Sequence, residues 1–179
     1  SSIVLPILDQ KQKKYTIDIN SLGDMNLLCD ESKIVQILIN LIINSSKFTE
    51  DNGEIHLSIK LIKIKANNIG NFVFSVKDNG IGMTKEFMQR MFLPFAQADE
   101  FNSKHNGGAG LGLSITKSIV DLMRGEIEVE SELAHGTRID ITLPLKIIDS
   151  NFISPHTLFL IILLHLSFLQ ILFNIIIFL

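Results

Sequence analysis

The sequence predicts an α/β fold, a two-layer α/β sandwich in which a mixed sheet carries its helices on one face, followed by a hydrophobic C-terminal helix. Three observations carry this. Stretches of period-2 alternation come in pairs, 54–64 with 71–77 and 126–130 with 137–143. Each pair is preceded by a stretch of helical spacing, 31–48 and 114–123. Beyond residue 150 the composition changes, with no Asp, Glu, Lys or Arg from Asn151 to Leu179. The order strand, helix, strand, strand, loop, helix, strand, strand is that of a layered α/β domain.

Taken in order, residues 1–10 are expected to be a linker and residues 11–147 the domain. Lys11–Asn20 begins basic and then alternates Tyr15, Ile17, Ile19, the pattern of a half-buried strand. Asp30 can cap a helix over Glu31–Phe48, and Asp51-Asn52-Gly53 supplies a turn before the strand 54–64. A second turn is expected at 66–70 and a strand at 71–77. Residues 78–106 then mix glycine, proline and polar residues with short helical stretches, a connection long enough to expect a lid. After the glycine-rich Gly107–Gly112, a helix over 114–123 is closed by Gly125. Strands at 126–130 and 137–143 follow, and Pro144 is expected to end the sheet.

Composition narrows the function classes. A chain of 179 residues has room for one ordinary domain and an appendage. A net charge of −3, with 16 basic and 19 acidic residues interspersed, offers no field for nucleic acid. The single cysteine, Cys29, cannot form an internal disulfide, which fits a reducing compartment; in the run Leu27-Leu28-Cys29 it is expected to be a small buried hydrophobe. Ser1–Leu8 lacks the features of a signal peptide. Leu158–Leu179 is long enough to cross a bilayer, which takes roughly 20 residues, so a transmembrane helix is expected there, with a buried partner helix as the alternative.

Three anomalies carry chemistry. On the first helix, Val35, Leu38, Ile39 and Ile42 form an apolar stripe, while Gln36, Asn40, Asn44 and Lys47 share another face. Asparagine is a poor helix former, and two of them one turn apart beside a lysine make an oxygen-and-cation array suited to a metal–phosphate group; a solvated helix face is the plainer alternative. Second, Asp78-Asn79-Gly80-Ile81-Gly82 begins where a strand stops. A carboxylate there can accept from an exocyclic amine, and Gly80 and Gly82 can let a flat ring approach; a plain turn is the alternative. Third, Gly107-Gly108-Ala109-Gly110-Leu111-Gly112-Leu113 leads directly into a helix, whose N-terminal amides suit an anion. Leu113 occupies both the third-glycine position of a dinucleotide fingerprint and the lysine position of a P-loop, which excludes both; a flexible hinge stays open.

Together, in this order, the motifs resemble those of sensor histidine kinases. Asn40–Thr49 is similar to the N box, Asp78–Gly82 to the first glycine box, Phe92-Leu93-Pro94-Phe95 to the F box, Gly108–Leu113 to the second glycine box and Gly136-Thr137 to the last glycine-containing motif. The resemblance covers about residues 12–145. It implies the Bergerat ATP-binding fold, with ATP and Mg²⁺ as cofactors. Carried over, it gives Asn44 the Mg²⁺, Asp78 the adenine amine, and Lys47 and Asn40 the phosphates. Gly108, Gly110 and Gly112 would wrap the triphosphate, with Leu111, Leu113, Gly80, Gly82 and Thr137 completing the ATP site. Lys104 or His105 is a candidate lid contact, and His135 is expected to be a surface histidine. Ala134 departs from the glycine of many relatives.

The same fold serves gyrase-type topoisomerases, mismatch-repair ATPases and heat-shock chaperones. Those hydrolytic relatives typically place Glu one turn before the metal ligand. Here that residue is Asn40, which cannot take a proton, so the resemblance implies phosphoryl transfer to a histidine rather than attack by water. A non-catalytic nucleotide-sensing module and a hydrolytic ATPase of this fold are the alternatives. The five histidines are followed by Leu57, Asn106, Gly136, Thr157 and Leu166, none acidic as the family's phosphoacceptor motif requires. The expected partners are therefore a phosphoacceptor histidine domain, in trans or upstream, and a response regulator or receiver domain downstream. The catalytic domain is expected to face the cytosol, anchored through 158–179.

Overall fold

The computed structural model describes residues 3–5, 13–19, 26–97 and 109–148; the tail 151–179 and its expected membrane span lie outside them. The elements are β1 (Ile3–Leu5), β2 (Lys14–Asp18), β3 (Asn26–Leu28), α1 (Glu31–Phe48), β4 (Glu54–Lys65), β5 (Ile69–Asp78), α2 (Lys85–Arg90), α3 (Gly112–Leu122), β6 (Glu126–Glu132) and β7 (Gly136–Ile148). The strands form one mixed sheet in the order β1-β2-β4-β5-β7-β3, with β6 also paired to β7. The pair β2–β4 is parallel and the others are antiparallel.

Alternation decides which face is covered. Ile55, Leu57 and Ile59 of β4, Phe72, Phe74 and Val76 of β5, and Ile139, Ile141, Leu143 and Leu145 of β7 are buried in one core. Ile34, Val35, Ile37, Leu38, Leu41 and Ile42 of α1, with Ile119 and Val120 of α3, close it from the helix side. Each such side chain contributes roughly 1.5–3 kcal/mol by burial, so packing on this face is what chiefly holds the domain together. The other face carries Lys60, Lys77 and Arg138, all exposed.

α1 starts where the carboxylate of Asp30 accepts from the Lys33 N–H at 3.3 Å. At its far end, Lys13 donates to the Ser46 carbonyl and the Tyr15 hydroxyl to Ser46 Oγ at 3.2 Å, which ties β2 to the helix. Cys29 is half-buried, and burial pushes its thiol pKa up, in keeping with an inert small hydrophobe.

Four expectations are corrected. Residues 3–5, expected in a linker, form β1 and pair antiparallel with β2. The turn expected at 66–70 is confined to Ala66–Asn68, because Asn67 and Asn68 both take left-handed backbone, at φ 62° and 57°, which asparagine tolerates. Pro144 does not end the sheet: β7 runs on to Ile148. On its second edge β6 stops opposite Thr142 and β3 begins opposite Lys146, so the proline lies where that edge has no paired strand and a missing N–H costs least. Finally, α3 begins at Gly112 rather than 114, inside the glycine-rich segment, and ends where Arg124 turns left-handed.

Candidate functional site

The motifs converge at one pole of the sheet, where β5 ends at Asp78 opposite Thr137 at the start of β7. Asp78 is only 6% exposed. Its Oδ1 accepts from the backbone N–H of Gly80 at 3.0 Å and of Thr137 at 3.2 Å, and its Oδ2 accepts from the Ser45 hydroxyl at 2.7 Å. A carboxylate offers about four acceptor positions, so the protein fixes its orientation and leaves Oδ2 room for another donor. Ser131 holds the neighbouring strand ends: its hydroxyl donates to the Gly136 carbonyl, accepts from the Met83 N–H and lies 2.9 Å from the Thr137 hydroxyl.

The loop after Asp78 is stapled on both sides. Asn79 exchanges hydrogen bonds with the backbone of Glu54, donating at 3.2 Å and accepting through Oδ1 at 2.7 Å. Ile81 donates to the Phe48 carbonyl at 3.0 Å and accepts from Ala134 N–H at 2.8 Å. A Cβ on Gly80 would strike the Phe48 carbonyl, and one on Gly82, at φ 68°, the Glu132 carbonyl. These glycines therefore answer first to the packing of the loop against protein backbone, where the sequence suggested the approach of a ring or a plain turn. Ala134, at φ 63°, carries the strain that a glycine there would avoid.

The other half of the site joins α1 to α3. Asn40 Nδ2 donates to the Gly112 carbonyl at 3.1 Å and to the Thr116 hydroxyl at 3.3 Å. A Cβ built on Gly112 would lie 3.8 Å from Asn40 Oδ1 and 3.9 Å from Asn44 Nδ2, so the two asparagines and the start of α3 frame one space. Asn44 is half-buried, and its amide makes no hydrogen bond among the described residues. Asp30 and Thr84 cap α1 and α2 with their side chains, but Leu111, at the N-cap of α3, offers none. Among the described residues, the first-turn amides of α3 are thus left without a side-chain acceptor, at the positive end of the helix.

The remaining predicted residues fall around this frame. Leu113 packs against the core. Gly110 accepts from the Phe95 N–H at 3.0 Å, which brings Phe92–Phe95 beside the glycine-rich segment; Phe95 is exposed. Lys47 stands over the Phe48 ring, 5.1 Å from its centroid. His135 is exposed, as expected. Gly108, with Gly107, Lys104 and His105, lies outside the described residues. Sequence reasoning missed Ser45 and Ser131. Ser45 adjoins Asn44 on the helix, and a hydroxyl on the buried side of a polar-faced helix was the available signal.

A mixed α/β sandwich with a buried carboxylate at one strand end, and an uncapped helix N-terminus facing asparagines, defines an ATP-binding domain of the α/β-sandwich class. The chain belongs to the histidine kinase-, DNA gyrase B- and HSP90-like ATPase family, whose model matches residues 29–147. Over 145 residues it is 36% identical to the autoinducer 2 sensor kinase/phosphatase LuxQ of Vibrio vulnificus (strain CMCP6), covering 81% of this chain and 17% of that protein. It is 32% identical over 148 residues to the sensor histidine kinase WalK of Bacillus subtilis (strain 168), covering 81% and 23%. The chain thus spans only a minor part of the length of these relatives. Among solved structures, full-length ShkA in complex with AMPPNP matches with a TM-score of 0.65 at 29% identity, over 79% of this chain and 27% of that one. The expected α/β sandwich is thereby borne out, as is the resemblance to histidine kinase catalytic domains; the expected C-terminal helix lies outside the described residues.

Proposed function

We propose that the domain binds ATP with Mg²⁺ and transfers the γ-phosphoryl group to a histidine imidazole on a phosphoacceptor domain, supplied in trans or upstream. From there a response regulator's receiver domain takes the phosphoryl group. The observation that carries this reading is the space framed by Asn40, Asn44 and the uncapped start of α3. Phosphoryl transfer asks a protein mainly for position and charge stabilisation, and helix N-terminal amides supply both to a phosphate.

Asp78 receives the adenine amine on its remaining lone pair, held in place by Ser45, Gly80 and Thr137. The side-chain oxygen of Asn44 is a hard ligand suited to Mg²⁺, an ion that keeps several waters and takes most of its other ligands from substrate phosphates. Bound there, the ion would neutralise charge on the transferring group. Asn40 cannot serve as a base, and its amide is already committed to Gly112 and Thr116, so activation of water is disfavoured. The domain works on the cytosolic side, and residues 158–179 anchor it by crossing the bilayer.

Labelled ATP tests the reading. The chain alone should yield no acid-labile, base-stable phosphoprotein, yet it should label an added histidine-bearing helical hairpin from a matched kinase. Asn44→Ala should abolish that transfer and the Mg²⁺ dependence of nucleotide binding. Nucleotide binding without transfer to any matched hairpin would favour a nucleotide-sensing module, and labelling of the chain's own histidines would overturn the need for a separate acceptor.

A further inference from the structure

The pole of the sheet opposite the nucleotide site carries an unexplained surface. β4 runs past the last buried residue of its core face, Ile59, into Lys60–Lys65, of which all but Leu61 are exposed. A bulge between Leu61 and Lys63 pushes Ile62 out to 66% exposure, and Ile64 is exposed at 55%. Register then places Lys65, Ile69, Lys146 and Leu28 in one row across four strands, because Lys65 pairs with Ile69, Ile69 with Lys146, and Lys146 with Leu28. Directly opposed residues share a face, so Lys65, Lys146 and the exposed Leu28 stand together on the side away from the helices, and Lys63 stands on that face too.

The acidic charge of that outer face is polarised. Its acidic row, Glu126, Glu128, Glu130 and Glu132 on β6, is confined to the half of β7 nearer the nucleotide site, since β6 reaches only Thr142. Lys63, Lys65 and Lys146 occupy the far half, about 30 Å from Asp78 along the ten residues of β5. β7 also ends at this far pole, with Ile148 opposite Asn26, and the sequence that follows has no charged side chain from Asn151 onward.

We propose that this pole is a membrane-facing surface that seats on an anionic bilayer, with Lys63, Lys65 and Lys146 against lipid headgroups and Ile62 and Leu28 in the interface. Three features select a bilayer as the occupant. Lysines interleaved with exposed aliphatic side chains match an anionic interface in both charge and polarity. The glutamate row points the like charge away from it. In sequence, β7, which ends at this pole, is followed by a stretch long and apolar enough for the hydrocarbon core. Seated this way, the domain turns its nucleotide site away from the membrane. The proposal rests on the reading of residues 158–179 as a membrane span but not on the phosphotransfer reading, and a tail can cross the bilayer without the pole touching it.

The test uses the unaltered full chain reconstituted into phosphatidylcholine vesicles with and without phosphatidylserine, footprinted by an amine-reactive reagent. Phosphatidylserine should slow modification of Lys63, Lys65 and Lys146 about fivefold, the worth of one headgroup contact per lysine, and leave Lys14 and Lys77 unchanged. Raising salt should reverse the protection. In a second arm, Lys63→Glu, Lys65→Glu and Lys146→Glu combined should restore water-like emission to a polarity-sensitive label placed by Ile62→Cys in a Cys29→Ser chain, with nucleotide binding as the check on folding. Equal footprints in the two vesicle types, or uniform slowing of all lysines, would overturn the proposal whatever the outcome of the phosphotransfer assay.

Discussion

The two ends of the site are built on opposite plans. Around Asp78 the protein has already used most of the hydrogen-bonding capacity: three protein donors hold the buried carboxylate, and the following loop is stapled to α1, β4 and the β6–β7 turn. Around Asn44 and the start of α3 the capacity is left open, with an amide unpaired among the described residues and a helix N-terminus without a side-chain cap. The closed end can discriminate, because a ligand must match donors and acceptors that cannot move. The open end waits for a charged group to complete it. Natural sequences satisfy local rules at most places, so in the proposed reading the uncapped α3 beside two capped helices is where a phosphate would supply what the described residues do not.

The comparison breaks most severely at Asp78. Asp78→Asn keeps the size of the side chain but gives it an NH₂ group, and whichever way the amide is turned, one edge presents donors to donors. With an oxygen toward Gly80 and Thr137, the NH₂ faces the adenine amine. Charge-assisted hydrogen bonds contribute about 1.5–3 kcal/mol each, so nucleotide affinity should fall at least about tenfold. Calorimetry with ATP checks this, and unchanged affinity in a folded protein would make Asp78 a turn residue only.

Gly112→Ala sharpens the contrast from the other end. The structure has room for this Cβ, 3.8 Å and 3.9 Å from the nearest asparagine atoms, and alanine favours a helix over glycine by up to about 1 kcal/mol. The thermal midpoint should hold or rise. The added methyl group occupies the space assigned to phosphate, so ATP affinity should fall by about tenfold while binding of adenosine, which carries no phosphate, stays unchanged. Gly82→Ala should do the reverse and destabilise the whole domain, because its Cβ meets the Glu132 carbonyl at a positive φ.

How much of this was legible in the sequence depends on the range of the interaction. α1, β4 and β5 announced themselves through periodicity sustained over many residues, and Asp30 through a capping rule that acts over three. β3 is three residues long, too short for any period to register, and it exists because Leu27 and Leu28 find β7 across the chain. Pro144 misleads for a related reason: whether a missing N–H is costly depends on which edge lacks a neighbour, and a linear sequence does not name neighbours. The site followed the same division. Asp78, Asn40 and Asn44 stood out as polar residues in unusual local settings. Ser45 and Ser131 are ordinary in composition and matter only through their partners, 33 positions away for Ser45 and 48 and 5–6 positions away for Ser131.

Ser45→Ala probes the closed end more gently than Asp78→Asn. It removes one donor from a buried carboxylate and leaves two backbone donors in place. An unmade bond to a charged group costs about 1.5–3 kcal/mol when nothing replaces it, but the freed Oδ2 can take water or ligand, so the loss of affinity should be only several-fold. Guanine and adenine nucleotides measured side by side distinguish a positioning role from mere packing: loss of orientation should narrow the preference between bases, whereas a packing defect should lower both affinities and the thermal midpoint together.

The smallest effect belongs to α1, the capped helix that serves as the reference for α3. Hydrogen bonds from the Lys33 ammonium and the Ser32 hydroxyl, more than any other cause, hold the Asp30 carboxyl down from 3.8 to about 2. A carboxyl whose folded value is depressed adds stability that is present above the unfolded value and is lost as pH falls through the folded one. Asp30→Asn keeps a good capping side chain while removing the charge. Thermal midpoints of the two proteins should therefore differ slightly at neutral pH and converge as pH drops from about 4 toward 2. Because Asp30 is exposed to solvent, the gap at neutral pH should also shrink with added salt. A difference that persisted at pH 2 would assign the role of Asp30 to capping geometry alone, and α3 would then differ from α1 in shape rather than in charge.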